Sequence, residues 1–352
     1  MDYRKEIDEL VDLILKQDAS DLHLSAGRNP IIRVSGSLIP LVKRPVITKE
    51  NMEGFIDVFI SKENKPILSS EKDADFSYNL THARFRGHVY YSQGSPVIAL
   101  RLIPKVIRTL TDLNLPPILE SFTRKSQGFF LVVGPIGQGK TTTLSTLIEM
   151  INQTRTEHIL TIEDPIEYLF ESKKSIVDQR EVRIDTPDFA NALTAMFRED
   201  IDVCMVGEMR DTPTMSAAVT AAETGHLVFS TLHTNNAAQT IDRIIDSFPA
   251  SQQDQIRIQL ASSLSGIFSQ RLIPRISGGL IPAYELLINN AAVSNLIRER
   301  RTHEINTVIE TSSQLGMIDM NRSLAELVRA GEITVEDAYV YASNPKSLER
   351  LL

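Results

Sequence analysis

Residues 134–141, Gly-Pro-Ile-Gly-Gln-Gly-Lys-Thr, follow the pattern G-x-x-x-x-G-K-[ST]. Glycines at these positions let a backbone curl until its N–H groups converge on phosphate oxygens. A helix opening directly behind the loop adds the positive end of its dipole. In such a loop Gly134, Pro135, Ile136, Gly137, Gln138 and Gly139 would wrap the phosphates of ATP. Lys140 would reach the β- and γ-phosphates, and Thr142 would follow in the first helical turn. The Thr141 hydroxyl would ligate Mg²⁺.

Hydrolysis at that loop also needs carboxylates close to the γ-phosphate. The apolar run VCMVGE (203–208) ends on Glu208, which is expected to activate water and support the metal, partly through a bound water. Gly207 stands where many phosphate-loop proteins carry a metal-binding aspartate. A second cluster, Glu163, Asp164 and Glu167 in TIEDPIE (161–167), follows the preceding apolar run. Open α/β sheets place ligand groups at the carboxyl ends of their strands, so both clusters are expected near the loop. Asp164, just before Pro165, also suits a helix or turn cap.

The stretch ETGHLVFSTLHTNN (223–236) carries His226 and His233. On a strand they would lie ~23 Å apart. On a helix they would lie ~10 Å apart. Neither spacing lets both bind one zinc at about 2.0–2.1 Å. Each is open to a separate site or to a structural role. Three arginines in ARFRGHVYYSQGSPVIALRLIP (83–104), Arg84, Arg86 and Arg101, could stabilise charge developing on a γ-phosphate, or could form a solvated basic face. Arg84 and Arg86, two apart, share one strand face. Arg271 in SQRLIPR is a further nucleotide-binding candidate.

These residues need elements to hold them. GFFLVVG (128–134) reads as a buried strand, and Leu144, Leu147, Ile148 and Ile151 mark the helix behind the loop. HILTIED (158–164), IDVCMVGE (201–208) and LVFSTLH (227–233) read as further strands. Thr186 before Pro187 predicts an N-cap and first helical position for DFANALTAMFRED. Strands alternating with helices predict a mainly parallel sheet covered on both faces. The chain is expected to turn helical after residue 285. Upstream, Ile7, Leu10, Val11, Ile14 and Leu15 mark a first helix, and residues 21–41 and 83–104 read as short strands and turns. The fold class is therefore α/β: a smaller N-terminal α+β domain (1–108), a proline-bearing linker (109–120) and a nucleotide-binding domain with C-terminal helices (121–352).

Composition narrows the function. The net charge is −8, which speaks against a non-specific nucleic-acid binder. One cysteine, Cys204, excludes an intrachain disulfide and a cysteine-based zinc site. No apolar run approaches the ~18–20 residues of a membrane span, and MDYRKEIDEL has no apolar core of a secretory signal. A cytoplasmic chain is expected.

Taken together, GPIGQGKT, TIEDPIEY, VGEMRD and TGHLVFSTLHTNNAAQTIDRIID stand in the order of the Walker A, Asp, Walker B and His boxes of the type II/IV secretion ATPases. The chain resembles that superfamily over nearly its whole length, most closely its type IV pilus retraction branch. The resemblance implies a RecA-like ATPase domain behind a PAS-like N-terminal domain, assembled as a homo-hexamer. It implies ATP between the domains, with N-terminal arginines closing on it and the His box acting as a nucleotide sensor or subunit contact. The implied partners are an inner-membrane platform protein and, indirectly, pilin. The implied place is the inner face of the cytoplasmic membrane.

Direction of work also rests on resemblance. Assembly and type II secretion relatives usually carry a tetracysteine zinc element, which one cysteine cannot build. Retraction relatives carry a helix motif near AIRNLIRE, and residues 292–299 read AVSNLIRE. Ser294 replaces its arginine. Val293, Leu296 and Ile297 are expected to face a core. The alternatives are an assembly or secretion ATPase and an accessory paralogue of the retraction motor.

Overall fold

A computed structural model describes residues 2–34, 36–61, 65–80, 83–103 and 106–352. Ser35 and Pro104, in the two strand-rich runs of the N-terminal part, lie outside the described residues. The chain divides into two units. Residues 1–106 together with Pro165–Leu169 form one, and residues 107–164 with 170–352 form the other.

The first unit opens on α1 (Tyr3–Lys16), capped by Asp2, whose carboxylate accepts the Lys5 N–H. Its buried stripe of Ile7, Leu10, Val11 and Ile14 is the helical period predicted from sequence. Six antiparallel strands follow, with α2 (Lys49–Phe59) and α3 (Lys65–Glu71) between the third and fourth. They are β1 (Ala19–Ser25), β2 (Ile31–Val34), β3 (Ser37–Pro40), β4 (Asp73–Asn79), β5 (Arg84–Ser92) and β6 (Ser95–Ile103). The sheet order is β3-β2-β1-β6-β5-β4. Its core joins α1 and α2 to Leu22, Leu24, Phe76, Phe85 and Ile98.

The second unit starts in the stretch read as a linker, and that stretch is packed. Leu110, Leu115 and Leu119 are buried in one core with Phe122, from the short α4 (Glu120–Thr123), and Phe130. The sheet that follows has seven strands: β7 (Gly128–Val133), β8 (His158–Glu163), β9 (Ile176–Glu181), β10 (Val203–Val206), β11 (Leu227–Leu232), β12 (Leu264–Pro274) and β13 (Leu280–Ile288). Its order is β13-β12-β7-β11-β10-β8-β9. Every pair is parallel except the β12–β13 hairpin. Every residue of β7 and β11 is buried, as strands covered on both faces require.

The helices α5 (Lys140–Thr154), α6 (Phe189–Met196), α7 (Thr212–Glu223), α8 (Ala237–Asp246) and α9 (Ala250–Ser263) punctuate the strands. α10 (Ala291–Arg298) and α11–α14 (Ile305–Thr311, Met320–Arg329, Val335–Tyr341, Pro345–Leu351) close the chain. Helix α6 departs from the sequence expectation by starting two residues late. Asp188 is extended and its Oδ1 accepts the Asn191 N–H at 2.7 Å, so it takes the cap. Thr186 donates its hydroxyl to the Asp188 carbonyl instead. Among the described residues no helix is long and apolar enough to cross a membrane.

Candidate active site at the phosphate loop

The buried strand β7 delivers the chain to Gly134, and α5 carries it away from Lys140. Gly134 has φ +148°, and a Cβ there would come within 2.5 Å of the Gln270 carbonyl oxygen. Only glycine fits that approach. Gly137 and Gly139 take φ of +78° and +75°. Gly139, left-handed, immediately precedes the first helical residue. Open space surrounds the Gly137 Cβ position, and Ile136 and Gly137 are exposed. The loop therefore presents backbone N–H groups and a helix start on one accessible surface. This suits a polyphosphate.

Lys140 is buried. Its ammonium donates to the carbonyls of Gly134 (2.9 Å) and Pro135 (2.8 Å) and lies 3.2 Å from His233 Nδ1. An ammonium only donates, so Nδ1 accepts and the ring proton sits on Nε2. That nitrogen is 3.2 Å from Glu208 Oε2, and the other Glu208 oxygen pairs with Arg210 at 2.5 Å. Lysine, histidine and carboxylate thus form a chain across the tips of three strands, and His233, left open by the sequence, is its middle member.

Gly207 lies against the end of β8. A Cβ there would lie 3.3 Å from the Ile162 oxygen, 3.5 Å from Glu163 Cα and 3.9 Å from Glu163 Cγ. The Ile162 oxygen is the one tight contact, and the Glu163 atoms lie at ordinary van der Waals distance. Glu163 is buried and accepts from Thr161 Oγ1 (2.7 Å) and Gln179 Nε2 (3.2 Å). Glu167, the cluster's third acid, belongs to the other unit.

His226 is not part of this cluster. It precedes the first residue of β11, where its carbonyl accepts the Gly128 N–H, whereas Leu232 at the other end pairs with Val133 beside the loop. Six strand residues hold the two histidines on the order of 20 Å apart. His226 Nδ1 lies 3.0 Å from the Ala221 carbonyl, and the ring meets Phe197 edge-on at 5.4 Å.

Arg271 serves the turn behind His233. Its Nη2 donates to Asn235 O and Oδ1, both at 3.0 Å, and Nη1 to Gln270 O. Ser269 Oγ donates to the same Asn235 carbonyl, and Glu285 accepts the Ala237 N–H at 2.8 Å. Burial pushes the Glu285 carboxyl up to about 7; Asp319 adds to the rise, while the Ala237 N–H and Arg271 oppose it.

In the first unit the three arginines fall on one sheet face, with Arg86 directly opposite Arg101 across β5 and β6. Each like charge has an acid: Glu167 for Arg86 (3.3 Å) and Asp21 for Arg101 (2.9 Å). Arg84 is buried and donates from Nε and Nη2 to the Ile166 carbonyl at 3.0 and 2.8 Å. Pro165–Leu169 clusters with the first unit on these contacts, a placement that the sequence division at 109–120 did not anticipate.

A sequence profile of the Type II/IV secretion system proteins matches residues 3–331. The chain belongs to that family. It is 42% identical to the type IV pilus retraction ATPase PilT of Pseudomonas aeruginosa, over 97% of this chain and 99% of that one. It is 43% identical to a twitching motility protein of Neisseria gonorrhoeae, over 91% of this chain and 86% of that one. A crystal structure of the pilus retraction motor PilT with bound ADP superposes with a TM-score of 0.91 at 45% identity, covering 97% of this chain and 98% of that chain. Within the family's helix motif, α10 buries Val293, Leu296 and Ile297 as expected. Ser294, where the motif has arginine, donates its hydroxyl to Ala261 O at 2.9 Å and so ties α10 to α9.

The sequence missed β9 and the β12–β13 hairpin, with Gln270 and Glu285 on it. Their only sequence signal was alternation within 264–288; the pairing of β12 with β7 sets Gln270 against the loop, and Glu285, on the opposite face of the hairpin, meets the Ala237 N–H.

Proposed function

We propose that this chain is an ATP-hydrolysing motor that drives retraction of type IV pili. The observation that carries the reading is the end-to-end likeness to retraction relatives, with Lys140, Glu208 and His233 assembled on one site. Lys140 binds the β- and γ-phosphates. Glu208 orients and deprotonates the attacking water. The Thr141 hydroxyl and Glu208, both oxygen donors, would hold Mg²⁺. That ion, when bound, neutralises charge on the transferred phosphoryl group. Nucleotide phosphates compete for the protons Lys140 gives to Gly134, Pro135 and His233. ATP binding then frees His233 to reorient Glu208, which is how the His box would sense nucleotide.

The motor works as a homo-hexamer at the inner face of the cytoplasmic membrane, held there by a platform protein and acting on pilin through it. Arg86 and Arg101, held by the half-buried Glu167 and the buried Asp21, would supply charge to the γ-phosphate, while Arg84 braces Ile166. His226 makes subunit contacts, and Arg271 holds the turn behind the sensor.

Deletion of the gene in its host tests the direction of work. Retained pili with lost twitching supports retraction. Loss of pili assigns the chain to assembly, and intact twitching assigns it to an accessory role.

A further inference from the structure

The phosphate loop leans on β12, and the contact is reciprocal. Gln270 is 3% exposed. Its Oε1 accepts the Thr143 hydroxyl at 2.7 Å, and its Nε2 donates to the Gln138 carbonyl at 2.7 Å. In return the Gln138 side-chain oxygen accepts the Leu272 N–H at 2.6 Å. A Cβ on Gly139 would lie 3.1 Å from Gln270 Nε2, and one on Gly134 would lie 2.5 Å from Gln270 O. One residue therefore touches the loop at its start, at its crest and one turn into α5.

We infer that Gln270 is a positioning residue for nucleotide binding: its amide holds the Gln138 carbonyl toward β12 so that the loop N–H groups stay aimed at phosphate. The argument is one of donors and acceptors. A buried amide has two donors and an acceptor, and both ends here are used. A peptide whose carbonyl is held cannot rotate, and its flanking N–H groups hold their direction with it. A preformed cradle binds phosphate without first ordering itself, which strengthens binding through the cost it avoids. The same strand continues into Arg271, which grips the Asn235 turn. Residues 270–272 thus fix the phosphate loop on one side and the turn behind His233 on the other. This inference rests on the nucleotide-site reading above and deepens it.

The test is equilibrium binding of a fluorescent ATP analogue to the full chain, with steady-state hydrolysis and unfolding in the absence of nucleotide. Gln270→Glu keeps volume and the acceptor for Thr143 but removes the donor to Gln138. It is expected to weaken binding and raise KM at least tenfold, with kcat within about threefold and unfolding within a few degrees of the parent. Gln138→Ala, which removes the return bond from the loop side, is expected to shift binding in the same direction and covers the case of a misfolded Gln270 variant. Binding within twofold of the parent in both variants overturns the role. Lys140→Ala run alongside separates the two readings. If it alone loses binding, Gln270 is not a positioning residue. If all three bind like the parent, the site assignment falls and this inference falls with it.

Discussion

His233 Nε2 lies 3.2 Å from Glu208 Oε2, while the other nitrogen of the same ring meets Lys140. A phosphate-binding cation and a water-activating carboxylate are therefore joined through one imidazole. Removing the imidazole should disturb chemistry more than affinity. His233→Ala is expected to lower kcat by about tenfold or more while KM for ATP moves less than about threefold. Steady-state hydrolysis across ATP concentrations reads both, and a pure KM effect would place His233 in binding alone.

The carboxylate itself carries a sharper expectation. Glu208→Gln keeps size and hydrogen bonding but cannot take a proton. It should bind ATP like the parent and hydrolyse it about 10²–10⁴-fold more slowly. Parental turnover in this variant would move the base to Glu163, the buried acid beside Gly207; Glu163→Gln would then abolish turnover.

Glu285 predicts a pH dependence of stability. Its carboxyl is raised from 4.5 to about 7 in the folded chain, so between those values the folded state holds a proton that the unfolded state has lost. Its contribution is full at pH below 4.5 and is lost as pH rises through about 7, a change of roughly 3 kcal/mol. Arg271 and Asp319 act on it in opposite senses and are included in that value. Glu285→Gln removes the titration. Relative to the parent, the variant should gain stability between pH 5 and pH 8, because the parent alone is losing it. A constant difference in unfolding temperature over that range would show that Glu285 does not titrate there.

Sequence revealed the site where the chemistry is local. Glycine spacing, a lysine behind it and acids at the ends of apolar runs are fixed by consecutive residues, whereas the place of His233 between Lys140 and Glu208 follows from the fold. What sequence hid is set by pairing between distant strands. Nothing near Gln270 signals that β12 lies beside β7 with Ser269 opposite Val133, yet that register alone puts Gln270 against Gly134. Arg86 and Arg101 were grouped by type, but their facing positions follow from a hairpin register. Thr186-Pro187 has the composition of a helix start, and Asp188 took the cap because its carboxylate lies closer to the free N–H groups.

Five residues in the middle of the chain change what a cut can do. Because Pro165–Leu169 clusters with residues 1–106, the polypeptide passes between the units three times, at 106/107, 164/165 and 169/170. A single nick at 106/107 leaves residues 1–106 held only through their contacts with 165–169, and a fragment ending at residue 106 strips the buried Arg84 guanidinium of the Ile166 carbonyl. One of those passages begins a single residue beyond Glu163. Asp164 alone separates that passage from the strand end that holds this acid, so one covalent residue is all that lies between the acid and the first unit.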